Sequence, residues 1–226
     1  PNSRKFLTRL FGNYFSNVDF PFSRGKYITI LNNKIWFQRL SFIGELGWEI
    51  YIPIKKTNRI FDKIRNLGKK YNLTYSGMHA LDILRLEKKF LHWGHDITSE
   101  NNPFEAGLSF AVNFKKNQNF IGREALEKIK EKPTKNKLAL FSLKNVSKPG
   151  KPLLLHDEPV YIDDKIIGYT TSSNYSFCYE KNIFLAYIKN QIQDLENYSV
   201  EVEGKRYPLK LEKNPLHDPK SELMRS

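Results

Sequence analysis

The stretch Arg39-Leu-Ser-Phe-Ile-Gly-Glu-Leu-Gly-Trp-Glu-Ile-Tyr-Ile-Pro53 carries the side chain of greatest chemical interest. Gly44 and Gly47 permit a turn with positive φ and a close backbone approach, after which Trp48–Ile52 reads as an extended strand. Glu49 is then a carboxylate embedded among apolar and aromatic neighbours. Burying it ionised is costly unless donors compensate. Three arrangements meet that need: an internal ion pair with Arg39 or Arg85, an edge strand whose Glu49 faces water, or a ligand with two adjacent N–H donors. An acceptor-only carboxylate matches such a fork bidentately. A second stretch runs from Gly77 to Ile97. On a helix its Asp82 and Arg85 are i, i+3 neighbours and can pair. Trp93-Gly94, just past the helix end, sets a large flat ring at a turn, either as a core residue or as the wall of an aromatic ligand pocket. His92 and His95 stand at i, i+3 with no Cys, Asp or Glu set to complete a metal site, so no metal is expected. Arg123, near the start of a further helix, reads as a partner for an anion or carboxylate rather than as a catalyst. Neither a G-x-G-x-x-G nor a Walker sequence occurs, and there is no G-x-S-x-G elbow.

The elements that position these residues follow from periodicity. Asn2 or Ser3 caps a first helix with Phe6, Leu7, Leu10 and Phe11 on one side. Residues 27–54 alternate and are punctuated by Asn32-Asn33 and Gly44–Gly47, which predicts three antiparallel strands. Thr57 or Asn58 caps a helix bearing Ile60, Phe61, Ile64, Leu67 and Tyr71. The next helix is predicted from Gly77 to Phe90 with Met78, Leu81, Leu84 and Leu91 inward, and another, capped near Gly122, carries Ala125, Leu126 and Ile129. After Pro133 short apolar runs alternate with turns: Leu138–Leu143, Pro159–Ile162, Ile166–Thr171, Ile183–Ile188, Ser199–Val202 and Tyr207–Leu211. Asp163-Asp164 and Glu203-Gly204 suit hairpins. The fold class expected is α+β, with an antiparallel sheet and helices over residues 1–134 and a small β-barrel domain over residues 135–226.

Composition bounds the function. The 226 residues carry 37 Lys and Arg against 24 Asp and Glu, a net charge of +13, yet 40% are hydrophobic and 14% aromatic. Wholesale disorder is excluded. One cysteine, Cys178, excludes an internal disulfide framework, and no apolar run has the length of a membrane span. A soluble, intracellular protein is expected, with no membrane and no nucleic-acid partner, because the basic residues are scattered and form no basic face interleaved with aromatics.

Taken in order, the words Pro1-Asn-Ser-Arg4, Phe42-Ile-Gly-Glu-Leu-Gly-Trp-Glu49, Leu84-Arg-Leu-Glu87, Trp93-Gly94 with Asp96, Asn102-Pro-Phe-Glu-Ala-Gly-Leu108, Phe120-Ile-Gly-Arg123, Glu158-Pro159 with Gly168 and Thr170-Thr-Ser172, and His217-Asp-Pro219 resemble the aminomethyltransferase (glycine-cleavage T-protein) family. The resemblance is strongest to its version at the C-terminal end of dimethylglycine and sarcosine dehydrogenases. Leu81 stands where the glycine-cleavage enzymes have an arginine, which favours the dehydrogenase type. The resemblance implies a tetrahydrofolate-binding fold in which Glu49 grips the pterin's amino group and ring N–H, Phe42 and Trp93 wall the ring, and Arg85 and His217 are further pocket members. It implies methylene-tetrahydrofolate formation from the oxidised methyl group of an N-methyl amine substrate. The family's transfer aspartate, and in dehydrogenases a flavin domain holding FAD, precede the Pro-Asn-Ser-Arg position, so no catalytic residue is assigned here. The chain is therefore expected to be the C-terminal piece of a larger enzyme or a truncated product, in the cytoplasm or, in a eukaryote, the mitochondrial matrix. Alternatives are a non-catalytic regulatory or interaction relative, a glycine-cleavage T-protein, and a folate-dependent sulfonium demethylase.

Overall fold

The computed structural model describes residues 2–145, 148–190 and 197–226; Pro1, the first residue of the Pro-Asn-Ser-Arg word, lies outside them. The chain forms two compact units, Pro1–Lys88 with His217–Ser226, and Lys89–Leu216. Residues 89–134 thus group with the barrel strands, and residues 217–226 group with the first unit.

In the first unit, helix α1 (Ser3–Phe11) buries Phe6, Leu7 and Leu10. Asn2 occupies its N-cap position without a side-chain cap bond. Ser3 is no cap either, since its hydroxyl donates to the Leu46 carbonyl at 2.7 Å. Strands β1 (Gly25–Ile30) and β2 (Asn33–Gln38) form a hairpin closed by Leu31 and Asn32, both with positive φ, as a twist-matched two-residue turn requires. Strand β3 (Glu49–Tyr51) adds to β2, giving the antiparallel order β1-β2-β3 among the described residues. Alternation sends Ile28, Ile30, Ile35 and Phe37 inward, where they pack with α1, Phe15, Phe20 and Ile60 of helix α2 (Thr57–Gly68). Lys56, not Thr57 or Asn58, holds the α2 N-cap position. Helix α3 (Met78–Glu87) is shorter than the pattern predicts, and Lys89 just beyond it has positive φ. Its buried side is Arg85, Leu86 and Glu87, whereas Met78 is 63% exposed, contrary to the expectation that it points inward. The last ten residues strap onto this unit. Lys88 Nζ pairs with Asp218 Oδ2 at 3.1 Å with both side chains buried, and the His217 amide donates to the Glu87 carbonyl at 3.0 Å. Arg39 donates to the Arg225 and Ser226 carbonyls at 3.0 and 2.7 Å.

The second unit opens with turns and helix α4 (Arg123–Ile129), which is capped at Gly122 as expected, with Gly122 in the left-handed region. Strands β4 (Asn136–Leu143), β5 (Pro159–Ile162), β6 (Lys165–Ser176), β7 (Lys181–Lys189), β8 (Tyr198–Val202) and β9 (Lys205–Glu212) close into a barrel in the order β4-β7-β6-β5-β8-β9. All six predicted runs are strands, and both predicted hairpins form, with Asp163, Glu203 and Gly204 at positive φ. Phe141, Val160, Phe184, Ala186, Ile188 and Val200 fill the interior. A bulge between Thr170 and Ser173 re-registers β6 against β7 and lets the strand run on to Ser176. Gly168 is set by close approach: a Cβ there would lie 1.8 Å from the Tyr187 carbonyl oxygen.

Two consequences are measurable. Gly168→Ala should cost at least about 3 kcal/mol in chemical denaturation, because the obstacle is backbone and not a side chain that can move. The Asp218 carboxyl, which burial pushes up, is held below its ordinary value by the Lys88 hydrogen bond and by the amides of Glu222 and Leu223. Its stabilising contribution is therefore present above the ordinary carboxylate range and is lost as pH falls through the depressed value. Asp218→Asn should remove that acid limb and lower stability at pH 7 by roughly 3 kcal/mol, since Lys88 would be left buried and unpaired.

Candidate functional site

The loop from Arg39 to Trp48 joins β2 to β3 and is fixed from several sides. Gly44 has φ 79°, and a Cβ on it would sit 2.9 Å from Lys88 Cδ and 3.4 Å from His217 Cδ2. The structure thus brings together the 42–49 segment, the residue after α3 and the first residue of the C-terminal strap. His217 Nε2 lies 2.8 Å from Glu45 Oε1. Phe42 is half-buried in the same loop. Arg39 is buried, donating to Asn17 Oδ1 at 2.7 Å and the Phe20 carbonyl at 2.8 Å as well as to the strap. Burial, and then the charge of Arg4, pull its pKa below the ordinary arginine value. The guanidinium groups of Arg39 and Arg4 lie over the Trp48 ring at 5.5 and 5.9 Å, and Trp48 meets Phe15 edge-on at 5.4 Å.

Trp48 is turned into the core, and this overturns the expectation that Glu49 is embedded. On an extended strand the residues on either side of Glu49 face the opposite way. Trp48 and Ile50 pack on the core while Glu49 and Tyr51 face out, and Glu49 is exposed. Of the three arrangements open at the sequence level, the edge strand describes this carboxylate. Neither Arg39 nor Arg85 pairs with it. Its partner among the described residues is Tyr51, whose hydroxyl donates to Oε2 at 2.5 Å. Oε1 remains available as an acceptor.

Arg85 is buried, with Nε 3.5 Å from Asp82 Oδ1, the helical neighbour predicted for it. Trp93 belongs to the second unit, where it is 67% exposed beside Gly94 at positive φ. It is not a core residue. Arg123 pairs with Glu127 at 2.9 Å and donates to the Phe114 and Lys116 carbonyls, which staples the turn before α4.

Sequence reasoning looked for a buried, compensated carboxylate at Glu49; the structure has one at Asp96. It accepts from the His92 amide at 2.9 Å and from Thr171 Oγ1 at 2.6 Å, tying the turn after α3 to β6. Both residues stand in the quoted words, but nothing in their spacing foretells the contact. Tyr187 was not singled out either. Its hydroxyl is buried with no hydrogen-bond partner among the described residues, and burial, then the charges of Asp96 and Glu105, push its pKa up to about 12.

An antiparallel sheet with helices, an outward acidic strand that follows the Gly44–Gly47 turn, and a closed barrel make up an α+β fold. Comparison with known proteins makes the assignment specific. Residues 1–116 match the GCVT N-terminal domain model, and residues 137–218 match the glycine cleavage T-protein C-terminal barrel domain. The chain belongs to the glycine-cleavage T-protein family. It is 34% identical over 219 residues to human mitochondrial dimethylglycine dehydrogenase, covering 96% of this chain and 25% of that protein. It is 30% identical over 197 residues to the mouse mitochondrial pyruvate dehydrogenase phosphatase regulatory subunit, covering 81% of this chain and 22% of that protein. Its fold matches the glycine cleavage system aminomethyltransferase T of Bartonella henselae with a TM-score of 0.81 at 20% identity, over 96% of this chain and 57% of that one. The chain thus spans about a quarter of the length of these curated relatives. No helix among the described residues is long and apolar enough to cross a membrane.

The Tyr51–Glu49 bond has a spectroscopic signature. Donation to Glu49, then the carboxylate's charge, raises the Tyr51 pKa above the ordinary 10.0. In an absorbance titration read as wild type minus Tyr51→Phe, that phenol should ionise above pH 10, and Glu49→Gln should bring it back down. Equal titration in both backgrounds would mean that the bond is absent in solution.

Proposed function

We propose that this chain is the tetrahydrofolate-binding part of an aminomethyltransferase-type domain. The longer protein would oxidise an N-methyl amine of the dimethylglycine or sarcosine class and pass the one-carbon unit on as methylene-tetrahydrofolate. The observation that carries this reading is Glu49 itself. It is an acceptor-only carboxylate on the outward side of β3, held at one oxygen by Tyr51 and free at the other, in a chain of the T-protein family. It fits the donor fork of a pterin. Because Glu49 is exposed, the reading rests on the chemistry of the donor set and on the family.

Tetrahydrofolate, when bound, supplies the amine nitrogens that take up a carbon at the oxidation level of formaldehyde. The work left to this chain is binding and orientation. Glu49 would accept from the pterin's amino group and ring N–H, while Tyr51 fixes the carboxylate's rotamer. Phe42 is proposed as an aromatic wall, and Arg85 and His217 as further pocket members. FAD is assigned to a part of the longer protein outside this chain, from the dehydrogenase name of the human relative. We keep residues 1–134 and 135–226 as the proposed inherited domains, supported by family-model matches on either side of that point. A cytoplasmic or mitochondrial setting accords with the mitochondrial relatives.

The similarity to a phosphatase regulatory subunit favours a second reading, a non-catalytic relative that keeps the fold as an interaction module. The residues upstream in the gene decide between the two: an acidic side chain at the transfer position and a flavin fingerprint belong to the enzyme. For the first reading, Glu49→Ala in the full-length protein should weaken tetrahydrofolate binding roughly 10- to 100-fold by calorimetry, the worth of charge-assisted hydrogen bonds. The melting temperature should be unchanged, because Glu49 is exposed. Unchanged affinity would refute the assignment.

A further inference from the structure

The outer face of the three-stranded sheet holds two cross-strand rows. One is Tyr27, Trp36 and Tyr51, and the other is Gly25, Gln38 and Glu49. Directly opposed side chains on one face of an antiparallel pair have Cβ atoms about 4.5–5.5 Å apart. Gln38 is therefore the immediate neighbour of Glu49. On its other side Gly25 has no side chain, and the space is taken by the Trp36 indole, which would lie 2.2 Å from a Cβ at Gly25. Tyr27 meets that indole edge-on, centroids 4.9 Å apart at 64°, and so limits its rotation. Tyr27 and Tyr51 are 65% and 53% exposed, which leaves the aromatic row open to a ligand. Gln38 thus stands between a flat indole and a carboxylate, and among the described residues its amide has no hydrogen-bond partner.

We propose that Gln38 is a specificity-determining residue that reads the C4 carbonyl of a pterin whose amino group and N3–H are held by Glu49. The proposal rests on the folate reading above and extends it. The pyrimidinone edge of a pterin presents two donors followed by an acceptor. A carboxylate satisfies the donors but repels the carbonyl, so recognition of the whole edge needs a donor beside Glu49. A lysine or arginine in that place would pair with Glu49 and withdraw it from the ligand. A neutral amide donates to the carbonyl without neutralising its neighbour. The Trp36 indole beside Gln38 gives the ring an apolar surface to lie against.

The amide can also turn its oxygen to the ligand, which makes the test selective. Binding to the full-length protein is measured by calorimetry for tetrahydrofolate and for a 2,4-diaminopteridine analogue, in which an amino group replaces the carbonyl and N3 loses its proton; the loss at N3 is common to all variants, so the affinity ratio of the two compounds is compared between variants. Gln38→Met should weaken tetrahydrofolate roughly tenfold. Gln38→Glu, an acceptor in either orientation, should weaken it further and shift preference toward the diamino compound. The melting temperature of Gln38→Met should stay at the wild-type value, because the side chain lies on the outer face, whereas Gln38→Glu sets two carboxylates directly opposite each other and should lower it slightly. If both variants bind tetrahydrofolate as wild type does while Glu49→Ala loses it, Gln38 has no such role and the folate reading stands. If Glu49→Ala also binds normally, or the wild type binds no folate, both fall together.

Discussion

The alternation of side chains along Trp48–Ile52 is the constraint on which the first unit depends. β3 contributes only Glu49–Tyr51 to the ladder, so hydrogen bonds to β2 do little to fix its register. Trp48 fixes it instead. Its ring is edge-on to Phe15 and Phe20 and capped by two guanidinium groups, contacts worth about 0.5–1.5 kcal/mol for each aromatic pair beyond the area buried. A slip of one residue would put the Glu49 carboxylate into that aromatic core and Trp48 into water. The outward acidic face is thus a by-product of packing on the inward side.

The same arginines that cap Trp48 also hold the end of the chain. Arg39 spends its donors on backbone carbonyls of residues 20, 225 and 226, and Arg4 reaches the Phe15 and Ser226 carbonyls. Lys88 and Asp218 complete the strap as a buried pair whose members are 130 residues apart in sequence. Buried cations and a buried carboxylate are tolerated here because each finds a specific oxygen or nitrogen partner. The strap in turn sets His217 against Glu45, so the loop leading to Glu49 is shaped by residues from the far end of the chain.

Much of this was legible. Every barrel strand, and the hairpins at Asp163-Asp164 and Glu203-Gly204, follow from short apolar runs and turn residues, because local alternation and positive-φ chemistry suffice to specify them; the β6–β7 hairpin carries no such turn signal. The helices were legible in position but less so in their ends. Met78 fits an apolar stripe by spacing, yet the helix begins there and its first turn is uncovered. Asn2 holds the α1 N-cap position but makes no side-chain cap bond, while Ser3 and Thr57 do not cap because their hydroxyls donate to the Leu46 and Pro53 carbonyls. Trp93 looked equally like core or pocket wall, a choice that residue type alone does not make.

The residue types of the site, its strand and its glycine-bounded turns were determined by the sequence, since the period of two and the freedom of glycine are local properties. Which of those residues meet was decided by tertiary structure. Whether Glu49 is buried depends on which face of the sheet packs on the core, and Trp48 and Ile50 take the inward one. Gln38 is its neighbour through cross-strand register, and Asp96, unlike Glu49, is a compensated buried carboxylate because Thr171 arrives from a strand 75 residues on. The physical reason is the same in each case. Burial and hydrogen-bond partnership are properties of what packs alongside a residue, and that information is distributed over segments far apart in the chain.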